Sequence, residues 1–167
     1  MLLRLSGDES LVAGLMAKLS GEGEYEVPAE LLAKIQEIFW AGCCDEEQTA
    51  ATIADVWNKY GYLCDTHTAV AWQVAQQYKA ANPEHANVVV LSTASPYKFP
   101  AAVLKALGES AGEDEFADME KLEKLTGVPV PKNLSGLRER AVRHTTVLDV
   151  DEMLDFVLDK AQQKEWF

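Results

Sequence analysis

The sequence predicts an α/β fold that is mostly helical, with few strands of its own. Three observations carry this. Five segments repeat apolar residues at three- and four-residue spacing, the mark of amphipathic helices. One run, Val88-Val89-Val90-Leu91, is continuously apolar and short, as a strand buried on both faces would be. That run stops in a cluster of small hydroxyl residues, Ser92-Thr93-Ala94-Ser95, and in parallel sheets ligands lie just beyond such strand ends.

The first half, residues 1–82, reads as helical throughout. Glu9 to Leu19 places Leu11, Val12, Leu15, Met16 and Leu19 on one face and ends at Gly21 and Gly23. Pro28 suits the first position of a second helix, with Leu31, Leu32, Ile35, Ile38 and Phe39 inward and an end near Gly42. Asp45-Glu46-Glu47 opens a third helix with negative charge at the positive end of the helix dipole. Gly61 closes it. Asp65 or Thr66 caps a fourth helix that runs to Ala81, and Asn82-Pro83 stops it.

The second half, residues 83–167, reads as a strand plus helices. After the strand at 88–91 come helices at about Pro100–Leu107 and Ala117–Thr126. Val128-Pro129-Val130-Pro131 is extended because each proline turns its predecessor away from helix. One or two helical turns are expected at Leu137–Ala141, a short strand at Thr145–Leu148 and a last helix over Asp151–Gln163. One or two strands cannot make a sheet by themselves. Either the fold is essentially helical or chain outside these residues completes the sheet.

Composition narrows the class of function. The chain has 167 residues, 48% of them hydrophobic, enough for one domain with a core. A net charge of −12 repels nucleic acid and anionic lipid, so neither is an expected partner. No apolar run reaches the ~20 residues of a membrane span, and the start turns polar at once, unlike a signal peptide. The three cysteines, Cys43, Cys44 and Cys64, fit reduced thiols in a cytoplasmic protein.

Two segments carry the chemistry. Asp65-Thr66-His67-Thr68 sits at a helix start, where free N–H groups favour anions. There His67 reads either as the edge of a site or as a locally bonded side chain beside a capping Asp65. Cys64 and His67 stand at C-x-x-H spacing, but no further ligands are suitably placed, so no metal is expected. Cys64 lacks a base that would make it a nucleophile. In the second segment, the hydroxyls of 92–95 either satisfy a strand end or bond the nitrogen of a bound heterocycle. Lys98 reads as a solvated lysine, and no residue of the chain is assigned a catalytic role.

Taken together, Asp65-Thr66-His67-Thr68-Ala69-Val70-Ala71 and Ser92-Thr93-Ala94-Ser95-Pro96-Tyr97-Lys98-Phe99 resemble the threonine synthase family. That family carries D-P-H-T-A-V-[GA] followed some twenty-five residues later by S-T-A-H-P-x-K-F. Leu2-Leu3-Arg4-Leu5-Ser6-Gly7 and Ala41-Gly42 with Asp45-Glu46-Glu47, Thr49 and Ile53 are similar too. The resemblance is good over roughly residues 1 to 107 and looser beyond, and the two motifs are specific as a pair.

The resemblance implies a single C-terminal region, residues 1–167, of a pyridoxal-phosphate enzyme of fold type II, the tryptophan-synthase-β-like class. It implies conversion of O-phosphohomoserine and water to threonine and phosphate. Thr93 matches the hydroxyl that bonds the cofactor's pyridine nitrogen, which tunes how strongly the ring draws electrons. His67 matches the motif histidine near the site. The family's Ser-Phe-Lys-Asp-like segment, with the lysine that carries the cofactor, and its phosphate-holding loop do not occur in these residues. A missing N-terminal portion is therefore the implied partner, and the chain alone is expected to be inactive. Two positions depart from the motifs: Ser95 stands for a histidine and Thr66 for a proline. A hydroxyl at Ser95 cannot act as a base near neutral pH. Two other readings fit the residues, a non-catalytic helical module that binds a partner and a related pyridoxal-phosphate enzyme acting on another amino acid.

Overall fold

The computed structural model describes residues 1–84 and 87–163, with the side chain of Gln163 excluded. Nine α-helices occur among them: α1 Leu2–Ser6, α2 Glu9–Glu22, α3 Ala29–Gln36, α4 Glu46–Tyr60, α5 Thr66–Ala81, α6 Pro100–Ala106, α7 Glu115–Thr126, α8 Lys132–Ser135 and α9 Met153–Gln163. Two 3₁₀ turns, Pro96–Lys98 and Val150–Glu152, complete the regular structure. The chain divides into two compact units, Met1–Val130 and Pro131–Phe167. In the first, α4 packs on α5 and α6, α6 packs on α7, and α1 packs on α2 and α3. The second holds α8 and α9, with the α9 residues Met153, Leu154, Val157 and Leu158 exposed.

The two helices that matter most start at strong local signals. Asp45 accepts the Gln48 amide at 2.8 Å while the Gln48 side chain accepts the Asp45 amide at 3.1 Å, a reciprocal capping box. Gly61 ends α4 at φ 63°, in the left-handed region where a glycine carries no Cβ penalty. Inside α4 the buried Thr49 and Thr52 donate to the carbonyls of Asp45 and Gln48, both at 2.7 Å. Each hydroxyl thus enters the core already satisfied. Ile53, Val56, Leu63, Ala69, Val103, Leu104, Met119 and Leu122 form that core. Buried Tyr97 joins it by donating its hydroxyl to the Val128 carbonyl.

The segment between α3 and α4 is pinned to α5. Gln77 donates to the Cys43 carbonyl at 2.9 Å, and Trp40 meets Tyr78 edge-on with ring centres 5.6 Å apart. Gly42 lies so close that an added Cβ would stand 2.6 Å from Gln77 Oε1 and 3.2 Å from Val74.

Several expectations need correction. No strand forms among the described residues. Val88–Leu91 has no regular structure and no ladder partner among the described residues, with Val89 86% and Leu91 72% exposed rather than buried on both faces. A strand is held by ladder bonds to a neighbour, and no neighbouring strand is present to supply them. Thr145–Leu148 is unpaired for the same reason. The second expected helix stops at Gln36, which leaves Ile38, Phe39 and Trp40 exposed, and Pro28 caps it from outside. The one or two helical turns expected at 137–141 reduce to a single hydrogen-bonded turn, the Arg140 amide on the Leu137 carbonyl at 3.1 Å, and a short helix not expected forms at Lys132–Ser135, directly after Pro131. Helices α4, α5, α6, α7 and α9 fall within two residues of their expected bounds.

Burial separates two kinds of apolar position. Leu122→Ala, at a site with no exposure, is expected to cost about 2–5 kcal/mol. Val89→Ser in the same chain is expected to change stability by no more than about 0.5 kcal/mol. Urea unfolding followed by circular dichroism measures both.

Candidate functional site

Asp65 is the centre of the candidate site. It precedes α5, its side chain is 0% exposed, and every donor it meets belongs to the next three residues. Oδ1 accepts the His67 amide at 2.9 Å and the Thr68 amide at 3.4 Å, with His67 Nδ1 3.3 Å away. Oδ2 accepts the Thr68 hydroxyl in a short hydrogen bond. Thr66 occupies the first helical position of α5, where a proline also fits because that N–H has no partner within the helix.

The second motif is tied to the first through side chains. Ser92 Oγ lies 3.2 Å from Thr68 Oγ1 and accepts the Tyr62 hydroxyl at 2.9 Å. Thr68 has one hydroxyl proton, and Asp65 takes it. Ser92 is therefore the donor on its contact with Thr68, and the bonds run in one direction: Tyr62 to Ser92 to Thr68 to Asp65. Further along, the His67 and Phe99 rings stand 5.3 Å apart, and Lys98 Nζ lies 5.5 Å from the Phe99 ring centre. Two segments some twenty-five residues apart in sequence thus form one surface.

Thr93 follows Ser92 directly and is exposed; its hydroxyl has no hydrogen-bond partner among the described residues. Ser95 accepts the Tyr97 amide at 3.3 Å and caps the 3₁₀ turn that carries Lys98. Two cavities flank the joined motifs. One, of about 330 Å³, is lined by Val56, Tyr62, Cys64, Thr68, Trp72, Val90 and Ser92. The other, of about 360 Å³, includes Cys44, Thr49, Thr66, His67 and Phe99 in its wall. A larger one, of about 490 Å³, lies along the Asp55–Lys59 ion pair and touches neither motif. Sequence reasoning singled out Thr93 and His67 but missed Tyr62, Thr68 and Ser92 as the link. The only signal for it is the hydroxyl content of both motifs.

Cys64 is buried, and burial pushes its thiol up to about 11, with the adjacent Asp65 carboxylate acting in the same direction. Burial therefore keeps Cys64 as the thiol rather than the thiolate, the form that reacts, at pH 8. No group of three or more metal-ligating side chains occurs among the described residues. Iodoacetamide at pH 8 is therefore expected to label exposed Cys43 and to spare Cys64 until the chain is unfolded in urea. Peptide mass mapping measures the difference.

Residues 68–157 match the family model described as threonine synthase, C-terminal. This match reaches well beyond residue 107. A human threonine synthase-like 1 is 32% identical over 105 residues, 63% of this chain and 14% of that protein. Threonine synthase of Pseudomonas aeruginosa is 33% identical over 121 residues, 71% of this chain and 25% of the enzyme. The crystal structure of pyridoxal-phosphate-bound threonine synthase from Brucella melitensis superposes with a TM-score of 0.67 at 32% identity, covering 93% of this chain and 30% of that one. The chain thus spans a quarter or less of these curated relatives' length and lies in the helical C-terminal part of a fold-type-II enzyme. On the family-model match, which takes in more than half of its residues, the chain belongs to the threonine synthase family.

Proposed function

We propose that residues 1–167 are a single C-terminal region of a threonine synthase, which forms one wall of a pyridoxal-phosphate site. The reaction is conversion of O-phosphohomoserine and water to threonine and phosphate. The observation that carries this reading is the joining of the two motifs by Ser92 and Thr68, which leaves the Thr93 hydroxyl exposed and without a protein partner. Such a hydroxyl fits the pyridine nitrogen of the cofactor. A neutral partner there holds the nitrogen by a hydrogen bond without protonating it, unlike an aspartic acid. When bound, the cofactor supplies the electron sink for the reaction.

His67 forms the edge of the site. The Ser-Phe-Lys-Asp-like segment of the family is absent from these residues, so the chain alone is inactive and an N-terminal portion is its partner. The exposed Val89 and Leu91 support this, since a strand in a parallel sheet has both faces covered by packed elements. The free cysteines Cys43, Cys44 and Cys64 fit a reducing cytoplasm as the place where the enzyme works; separately, no helix among the described residues is long and apolar enough to cross a membrane.

Two measurements test the proposal. Pyridoxal phosphate added to the 167-residue chain and reduced with borohydride is expected to give no single stoichiometric adduct by intact mass. An adduct at Lys98 would make Lys98 the cofactor's lysine and end the reading. In the enzyme completed by its N-terminal portion, Thr93→Val is expected to weaken cofactor binding by about tenfold, in line with the loss of about 1.4 kcal/mol from a hydrogen bond to the ring. Unaltered cofactor affinity in a folded Thr93→Val enzyme would remove Thr93 from the site.

A further inference from the structure

The Asp65 carboxylate does more than cap a helix. A cap needs an oxygen on one or two amides of the first turn, and the His67 and Thr68 amides supply them. The same Oδ1 also lies 3.3 Å from His67 Nδ1. Nδ1 also stands 3.5 Å from Thr66 Oγ1, a hydroxyl that can accept as well as donate, whereas an ionised carboxylate only accepts; the nearer contact, to Asp65, therefore puts the proton on Nδ1. In the neutral ring this leaves Nε2 as a bare acceptor. The two side chains differ sharply in environment, Asp65 being 0% and His67 62% exposed. The Phe99 ring, tilted 40° to the imidazole, stands against it. Turning the ring over would replace the Nδ1–H donor at Asp65 with a carbon.

From this geometry we infer that Asp65 is a positioning residue for His67: it fixes the imidazole as the Nδ1–H tautomer and leaves Nε2 free to accept a proton in a hydrogen bond from the reacting water. His67 lines the cavity of about 360 Å³ beside Phe99, and Nε2 has no protein partner among the described residues. Water is the co-substrate of the reaction proposed above, and the inference rests on that reading for the identity of the bound molecule. Ser95, at the position of the other motif histidine, has its oxygen on the Tyr97 amide. His67 is therefore the only imidazole of the two joined motifs.

The tautomer can be read directly from the 167-residue chain. Long-range ¹H–¹⁵N spectra of the imidazoles, taken at a pH where the ring is neutral and assigned by the signal lost in His67→Gln, distinguish the two nitrogens. The expected pattern is a protonated Nδ1 and a bare Nε2, the reverse of the form free histidine prefers. Asp65→Asn keeps a good cap but removes the charged acceptor, so it is expected to lose the single Nδ1–H pattern while helicity persists. An Nε2–H or averaged pattern in the native chain overturns the inference, whether or not Asp65→Asn folds. In the completed enzyme, His67→Gln is expected to lower kcat about tenfold with KM for O-phosphohomoserine little changed; an unchanged kcat overturns the role toward water. Neither result touches the Thr93 reading, which stands or falls with cofactor binding in Thr93→Val.

Discussion

The structure around the candidate site depends on one buried carboxylate. An ionised group with no exposure is costly unless its lone pairs are satisfied. Asp65 meets that demand with two amides, one hydroxyl and one imidazole nitrogen, all from residues 67 and 68. These bonds start α5, hold the Thr68 hydroxyl in one direction and set the His67 ring. Because Thr68 gives its proton to Asp65, it turns an acceptor toward Ser92. The way the second motif attaches is thus fixed by the charge at the start of the first.

That attachment substitutes for backbone pairing. The run before Ser92 has no ladder bonds among the described residues, so side-chain contacts at Tyr62 and Thr68 locate its end. The helices beneath are placed by ordinary means. Threonines of α4 satisfy themselves on the preceding turn, and aliphatic residues of α4, α6 and α7 fill the core. Thr93 inherits its position from Ser92, one residue away, while its own hydroxyl stays uncommitted. An uncommitted group beside a fixed one is what an orienting contact to a ligand requires.

What could be read from the sequence divides along the same line. The starts and ends of α4 and α5 were legible, because Asp45 with Gln48, Asp65 and Gly61 act within a turn of themselves. The strand at 88–91 was not, since four apolar residues in a row give no clue to whether a neighbour exists to pair with them. Helix α3 ended early although Ile38 and Phe39 kept its spacing, because the chain turns toward α5 at Gly42. In the site, Asp65 was visible as a cap and His67 as an edge. The contacts from Ser92 cross 24 residues to Thr68 and 30 to Tyr62, and no local pattern encodes them.

The departures from the family motifs gain a physical meaning from the structure. Thr66 takes the first helical position, where a proline is favoured because no hydrogen bond is lost and its fixed φ suits the helix, so the exchange leaves the Asp65 cap intact. Ser95 replaces an imidazole with a hydroxyl, and its oxygen accepts the Tyr97 amide to start the turn that carries Lys98. At 95 this chain thus has a turn-forming hydroxyl where the motif it resembles has an imidazole. His67 is the only imidazole of the joined motifs, and burial pushes the thiol of Cys64, just before them, well up. With Asp65 behind it, that single imidazole has a defined face toward the cavity, and whatever protic oxygen the reaction brings there meets an acceptor whose proton is already placed on the other side of the ring.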